Sequence, residues 1–254
     1  MARAFTEPVR ELPLPATTVH RFGGYDLIAA GVGPALAAAS TATALTAAAL
    51  GGTPYDLVVS AGIAGGFTPG REPGAAPRTA TAAPTGTDRG TDGGAPSAAA
   101  AGAPVGSLVL ADEITAADLG AETGDGFLPV TDLGFGTVTH RPPGSLVRAA
   151  AAATGAATGT VLTVSTVTGT AARADALRAR HPRALAEAME GFGVAEAAGA
   201  HGVPVLELRA VSNPVGPRDR AAWRIGDALA ALTEGFGKLV PVLERWKPHE
   251  PAES

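Results

Sequence analysis

The chain contains no cysteine and few aromatic residues. Its 254 residues include no Cys, and Phe, Trp and Tyr together make up 4% of them. The absence of cysteine excludes a disulfide scaffold, a thiol nucleophile and a thiolate metal site. The core must instead be built from Val, Leu, Ile and Ala, and a chain of this length can form one large α/β domain with an ample core.

Basic charge and metal-site spacing are also lacking. The formal net charge is -5, the isoelectric point is near 5.5 and no basic stripe is present, so a nucleic-acid partner is excluded. The five histidines are scattered, without a ligand spacing such as HExxH. We therefore predict neither a metal nor an organic cofactor.

A targeting segment and a membrane span are not indicated either. The first ten residues, MARAFTEPVR, carry charges and a proline where a signal peptide needs an apolar stretch. The segment from Leu27 to Pro54 is uncharged, but it consists mostly of Ala, Thr, Ser and Gly, which transfer poorly into hydrocarbon. It fits a buried strand followed by a buried helix, and we predict a soluble cytoplasmic protein.

Apolar runs of strand length alternate with helical patterns along the chain. Predicted strands cover 25–33, 55–67, 105–114, 161–169 and 203–212, and predicted helices cover 34–50, 144–154, 171–180, 184–200 and a long stretch from Trp223. Such alternation is typical of a sheet with helices on its faces. The predicted fold class is α/β, a single domain with a central mixed, mostly parallel β-sheet flanked by helices.

Residues 71–104 differ in composition from the rest of the chain. They contain no Val, Ile, Leu, Phe, Met, Tyr or Trp. A segment without large apolar side chains cannot bury enough surface to offset its ordering entropy. We predict that 71–104 is a disordered low-complexity insertion within the single domain that spans 1–254.

The strongest functional pattern lies between residues 188 and 216. One carboxylate, Glu190, lies among small and apolar residues in a predicted helix, and the strand that follows ends at the amide of Asn213. Two glycine-rich turns, 31–33 and 62–66, come after earlier predicted strands, where ligands bind in α/β sheets. A carboxylate and an amide facing one pocket suit a ligand that carries both hydroxyl groups and a heterocycle.

These motifs resemble the nucleoside phosphorylase/nucleosidase superfamily. The resemblance rests on the ordered series AAGVGPALAAA, VVSAGIAGGF, VGSLVLADEI, LTVSTVTGTA and EAMEGFGVAEAAGAHGVPVLELRAVSN. Within the superfamily, ADLGAET, STVTGTAARA and RAVSNPVGPRDRAAWRIG most resemble the futalosine hydrolases, nucleosidases of the alternative menaquinone pathway that remove hypoxanthine. The resemblance implies an N-glycosyl hydrolase that acts on a small nucleoside as a homodimer or higher oligomer.

The resemblance also implies site residues. Glu190 matches the glutamate that binds the ribose hydroxyls, and Asn213 matches the position that holds the base. The implied substrate-binding residues are Met189, Gly62, Ile63, Ala64, Gly65, Val167, Phe192 and Arg209. Arg209 and three later arginines, Arg218, Arg220 and Arg224, are candidates to bind the benzoate of the substrate's 5′ extension.

Three departures from the superfamily pattern affect the expected reaction. Asn213 replaces the aspartic acid of adenine-specific members, and an amide donates to N7 or O6 of a 6-oxopurine without charge repulsion. The glycine turns contain no Arg or Lys and carry Ile63 in place of a hydroxyl residue, so water rather than phosphate is the expected nucleophile. The strand and glutamate that activate this water in the family are expected to be missing from the start of the chain.

Three alternatives stay open on sequence grounds. The chain could act on methylthioadenosine or S-adenosylhomocysteine, or it could be a purine nucleoside phosphorylase. It could also bind a purine nucleoside without turnover, because general-base catalysis typically contributes about 10²–10⁴-fold and its expected residue is missing.

Overall fold

The computed structural model describes residues 10–68 and 102–248. The helices are α1 (Pro34–Leu50), α2 (Gly144–Thr154), α3 (Ala171–Arg180), α4 (Gly191–Ala200) and α5 (Ile225–Arg245). The strands are β1 (Arg10–Leu14), β2 (Thr17–Phe22), β3 (Tyr25–Leu27), β4 (Val58–Gly66), β5 (Leu108–Ala116), β6 (Gly120–Thr123), β7 (Gly126–Pro129), β8 (Thr139–His140), β9 (Ala157–Thr163), β10 (Ala184–Ala188) and β11 (Val205–Pro214). Among the described helices, none is both long enough and apolar enough to cross a membrane.

The central sheet is mixed and closes on itself. Its strands follow the order β11-β4-β10-β9-β5-β8, and β11 also pairs with β5. Strand pairs β11–β4, β10–β9 and β9–β5 are parallel, whereas β10–β4, β11–β5 and β5–β8 are antiparallel. Five strands thus form a closed ring, with β8 on its outside. The predicted α/β domain with a mixed sheet and flanking helices is confirmed.

Three apolar clusters pack against the ring, and two of them hold the helix pairs α1/α4 and α2/α5. One contains Ala37 of α1 and Ala195 of α4, packed with Ala186 and Val211 of the sheet. The other joins α2 and α5 to strands β5 and β11 and includes Leu146, Leu232 and Leu239. Helices α1 and α4 approach closely, since a Cβ on Gly193 would lie 2.0 Å from the carbonyl oxygen of Pro34. The Ala- and Gly-rich composition therefore serves close packing of helices against the sheet.

Three predicted elements differ from the structure. The predicted strand 161–169 is shifted, because β9 spans Ala157–Thr163 and residues 164–169 follow it as a loop. The predicted helix 184–200 is wrong over its first part, because Ala184–Ala188 is a fully buried strand and the helix begins at Gly191. Its sequence, ALAEA, favours a helix locally, but pairing with β9 and β4 on both sides overrides that preference. The predicted strand 25–33 ends at Leu27, since Gly31 and Gly33 have φ values of 88° and 90° that no regular strand adopts.

The low-complexity insertion lies almost wholly outside the described residues. Only its last three positions, 102–104, are described. Ala103 is buried there, and its backbone N–H donates to the carbonyl oxygen of Phe67 at 2.8 Å. The end of the insertion is therefore anchored beside β4. The disorder predicted for the remainder stays a prediction.

Candidate active site

Strand register brings two predicted site residues, Gly65 and Asn213, beside a third residue, Glu187. Gly65 of β4 pairs with Glu187 of β10 on one side and with Asn213 of β11 on the other. All three line one pocket, together with Val167 and Thr168 from the segment after β9 and with Trp223. The predicted base position, Asn213, therefore opens onto a real cavity at the end of β4 and β11.

Hydrogen bonds orient the amide of Asn213. Its Oδ1 accepts from the Ser212 hydroxyl at 2.9 Å, and its Nδ2 donates to the carbonyl oxygen of Pro214 at 2.9 Å. An amide NH₂ carries two hydrogens, and the Pro214 bond uses one of them. The second is available to a ligand acceptor in the pocket.

Glu190 lies just before the helix α4, where it is the N-cap residue rather than an interior residue as predicted. Its Oε2 accepts from Nη1 of Arg209 at 3.0 Å, and its Oε1 faces the backbone N–H of Gly33 at 3.4 Å. The side chain is 21% exposed. Both predicted glycine turns therefore border Glu190, one through Gly33 and the other through Arg209, which contacts the carbonyl oxygen of Ile63.

Arg209 is buried between two carboxylates. Its Nε donates to Glu207 at 2.7 Å, its Nη2 donates to the Ser60 hydroxyl at 3.1 Å, and its side chain is 2% exposed. Burial would lower the pKa of Arg209, but the charges of Glu207 and Glu190 outweigh burial and raise it, so the guanidinium stays charged. Of the four arginines that were candidates to bind the substrate tail, Arg209 is buried and paired within the protein. The other three are exposed: Arg218, Arg220 and Arg224.

Two glycines provide the space for this cluster. A Cβ on Gly62 would lie 2.6 Å from Nη1 of Arg209, and a Cβ on Gly191 would lie 2.2 Å from the carboxylate oxygens of Glu207. These distances are far below van der Waals contact. Gly62, which was predicted as a substrate contact, is therefore also needed to leave room for the Arg209 side chain.

Glu187 is a pocket residue that the sequence analysis missed. It is 6% exposed, and its Oε1 and Oε2 accept from the backbone N–H and the hydroxyl of Thr168 at 2.8 and 2.5 Å. Desolvation by burial raises its pKa, although the hydrogen bonds from Thr168 act in the opposite direction. The sequence does show one acid within the apolar segment Ala184–Ala188. Because this segment was predicted to be helical, Glu187 was not placed at the pocket.

The remaining predicted contacts fall into two groups. Val167 is 38% exposed and lines the pocket with Gly65. Met189 is half-buried and directly precedes Glu190 in the sequence. Ala64 and Phe192 are core residues, and Ile63 packs against the core under α5. The Phe192 ring lies 5.4 Å from that of His140. Within residues 10–68 and 102–248, no group of three or more His, Cys, Asp or Glu could hold a metal.

The chain is similar in sequence to known proteins over most of its length. The Phosphorylase superfamily model matches residues 93–240. A futalosine hydrolase of Streptomyces coelicolor is 70% identical over 251 residues, which cover 98% of this chain and 93% of that protein.

Two solved structures show the same fold at low identity. The native futalosine hydrolase of Helicobacter pylori matches with a TM-score of 0.67 and 16% identity, covering 94% of this chain and 90% of that one. The 5′-methylthioadenosine/S-adenosylhomocysteine nucleosidase of Neisseria meningitidis, solved with methylthio-immucillin-A, matches with a TM-score of 0.67 and 19% identity, covering 94% and 91%. The predicted resemblance is confirmed: this chain belongs to the Phosphorylase superfamily and, within it, to the futalosine hydrolases.

Proposed function

We propose that this chain hydrolyses the N-glycosidic bond of futalosine, releasing hypoxanthine and dehypoxanthinylfutalosine in menaquinone biosynthesis. The observation that carries the proposal is the 70% identity to a futalosine hydrolase over nearly the whole chain. Asn213 lines the pocket, whereas Glu190 does not line it and is paired with Arg209. We assign these two groups to the base and the sugar of the nucleoside. A cytoplasmic homodimer is part of the same proposal.

The base half of the reaction is assigned to Asn213. As the glycosidic bond breaks, electrons move onto the purine, and a donor aimed at N7 or O6 stabilises the leaving base. Asn213 has one N–H available for this bond after its contact with Pro214. The amide carries no charge, so it does not repel the 6-oxo group of hypoxanthine.

The sugar half is assigned to Glu190. Its carboxylate can accept from two vicinal ribose hydroxyls, and its negative charge favours the cationic sugar that forms when the base departs. Arg209 holds the Glu190 carboxylate through the 3.0 Å contact. The formal charges of Glu190, Glu207 and Arg209 sum to a single negative charge, which favours a nearby cation.

Phosphate is not expected to replace water as the nucleophile. Contrary to the sequence expectation, a cation does lie beside the glycine turn at Gly62, but Arg209 is already paired with two carboxylates. A phosphate dianion there would meet net negative charge. We expect equal turnover in phosphate and non-phosphate buffers of matched ionic strength, with free sugar as the product. Detection of a sugar 1-phosphate by chromatography would contradict this expectation.

The direct test of the proposal is release of hypoxanthine from futalosine by the purified protein. Methylthioadenosine and S-adenosylhomocysteine are assayed in parallel, and binding of each nucleoside is measured by calorimetry. Preferred release of adenine would replace the proposal with an adenine nucleosidase. Binding of futalosine without turnover would replace it with a non-catalytic binding protein.

Asn213→Asp is expected to change which base is preferred. An ionised carboxylate repels O6 of hypoxanthine, whereas a protonated carboxyl can donate to N7 of adenine. We expect kcat/KM for the hypoxanthine nucleoside to fall by about 10²-fold, the scale for loss of one transition-state hydrogen bond. The kcat/KM for the adenine-bearing counterpart should fall by a smaller factor. An equal loss for both substrates would show that Asn213 does not contact the base.

A further inference from the structure

Glu187 is the one buried acid that lines the base pocket. It enters from β10, whereas Asn213 enters from β11, and the intervening strand β4 carries only Gly65 at the same level. With neighbouring strands about 4.8 Å apart, the two backbones lie roughly 10 Å from each other. The two side chains therefore border one pocket from opposite sides. The Val215 side chain lies over Gly65, since its Cγ2 would be 2.9 Å from a Cβ at that position, and it lines the same pocket.

The chemistry of the two residues is complementary. Asn213 offers an N–H donor, whereas an ionised carboxylate only accepts hydrogen bonds. The carboxylate has about four acceptor positions, and the two bonds from Thr168 leave about two of them for a ligand. Among the described residues, no lysine or arginine forms a salt bridge with Glu187, so a ligand N–H is a suitable further partner for its charge.

A 6-oxopurine presents the pattern that these two residues fit. Hypoxanthine carries a donor at N1–H beside acceptors at O6 and N7, whereas adenine carries an acceptor at N1 and a donor at its 6-amino group. We propose that Glu187 binds the N1–H of the base and is, together with Asn213, a specificity-determining residue for 6-oxopurine nucleosides. This inference rests on the proposed nucleosidase function and concerns the same pocket.

The contacts with Thr168 support a binding role beyond fold stabilisation. Both are donated to Glu187, so they favour its ionised, acceptor-only form even though burial raises its pKa. A charge kept in a desolvated pocket is typical of a functional group. An ionised Glu187 would also repel the N1 lone pair of adenine. The same carboxylate therefore disfavours adenine and favours hypoxanthine.

The test compares futalosine with its adenine-bearing counterpart on Glu187→Gln. A glutamine keeps the shape, loses the charge and can donate to N1 of adenine. We expect kcat/KM for futalosine to fall by about 10- to 100-fold, the factor for a hydrogen bond to a charged group. The value for the adenine counterpart should stay within about threefold of wild type or rise, at the scale of a neutral hydrogen bond.

Two further variants separate this role from a structural one. Thr168→Val removes the hydroxyl that favours the ionised form of Glu187, so it should lower kcat/KM for futalosine more than for the adenine counterpart. Glu113→Gln is the control, because it changes a partly exposed glutamate that is paired with Arg141 outside the pocket, and it should change neither value. If Glu187→Gln lowers kcat/KM for both substrates by the same factor, Glu187 only anchors the segment after β9 and the proposal fails.

Binding of the free base to wild-type protein tests the role of Glu187 without any variant. Calorimetry on wild-type protein should show hypoxanthine binding at least about 10-fold tighter than 1-methylhypoxanthine and adenine, as expected for loss of one charged hydrogen bond. Equal affinities would overturn the role of Glu187 even if Glu187→Gln does not fold. Failure of wild-type protein to turn over futalosine would instead overturn the proposed function, because base binding is measured separately.

Discussion

Glu190→Gln is expected to slow hydrolysis by about 10²- to 10³-fold in kcat, the range seen when one electrostatic partner of a transition state is removed. Glutamine keeps an oxygen that can accept from Arg209, so the geometry at 3.0 Å is retained while the charge is lost. The variant should stabilise the cationic sugar less well, whereas the preference between hypoxanthine and adenine should stay unchanged. The measurement is kcat and KM for both nucleosides.

Glu196→Gln is the matched control for this variant. Glu196 lies on the same helix, is 46% exposed and contacts His140 at 2.7 Å on the surface. Its replacement should leave kcat within about twofold of wild type, as is usual for an exposed pair. A Glu190→Gln variant as active as Glu196→Gln, or one with an altered base preference, would remove Glu190 from the sugar half of the site.

Arg209→Met is expected to lower the free energy of unfolding by about 3–5 kcal/mol, the usual effect of leaving a buried charge without its partner. Glu207 is fully buried, its Oε1 accepts from Arg209 at 2.7 Å, and Gly191 packs directly against its carboxylate. The measurement is denaturant unfolding followed by the fluorescence of Trp223 and Trp246. Arg183→Met, which removes an ion pair with Asp112 from a half-exposed side chain, should cost about 1 kcal/mol or less.

The pH dependence of Arg209→Met gives an independent check. Burial raises the pKa of Glu207, and loss of the guanidinium removes the main charge that opposes this rise. The folded variant then binds a proton more tightly than the unfolded chain, so its stability increases as pH falls through the folded pKa. The deficit relative to wild type should therefore shrink toward acidic pH, and Glu207→Gln in the same chain should restore part of it. A deficit independent of pH would contradict the buried-charge explanation.

Local signals in the sequence were sufficient for several elements. Helix α1 runs from Pro34 to Leu50 as predicted, because a proline suits the first turn and Gly51 follows the last residue. Helices α2 and α3 also match their predicted ranges. In each case the pattern that defines the helix lies within the helix itself.

The errors share a different physical cause. Strand β10 reads as a helix because Ala and Glu favour helices, and only its pairing with two neighbouring strands makes it extended. That misreading also concealed Glu187, whose partner Thr168 lies nineteen residues away. The Arg209 cluster was missed for the same reason, since Ser60, Glu190 and Glu207 meet only after the sheet has formed.

Closure of the sheet by β11 has a consequence for how the chain acquires its fold during synthesis. Of the described strands β11 is the last to be made, yet it pairs with β4 and β5, whose residues precede it by about a hundred positions or more. Until Val205–Pro214 has left the ribosome, β4 and β5 each present an unpaired edge able to recruit another chain. Contacts this distant in sequence also slow folding. A chain truncated before residue 205 should therefore leave both edges open and aggregate, whereas the full chain should stay monodisperse by light scattering.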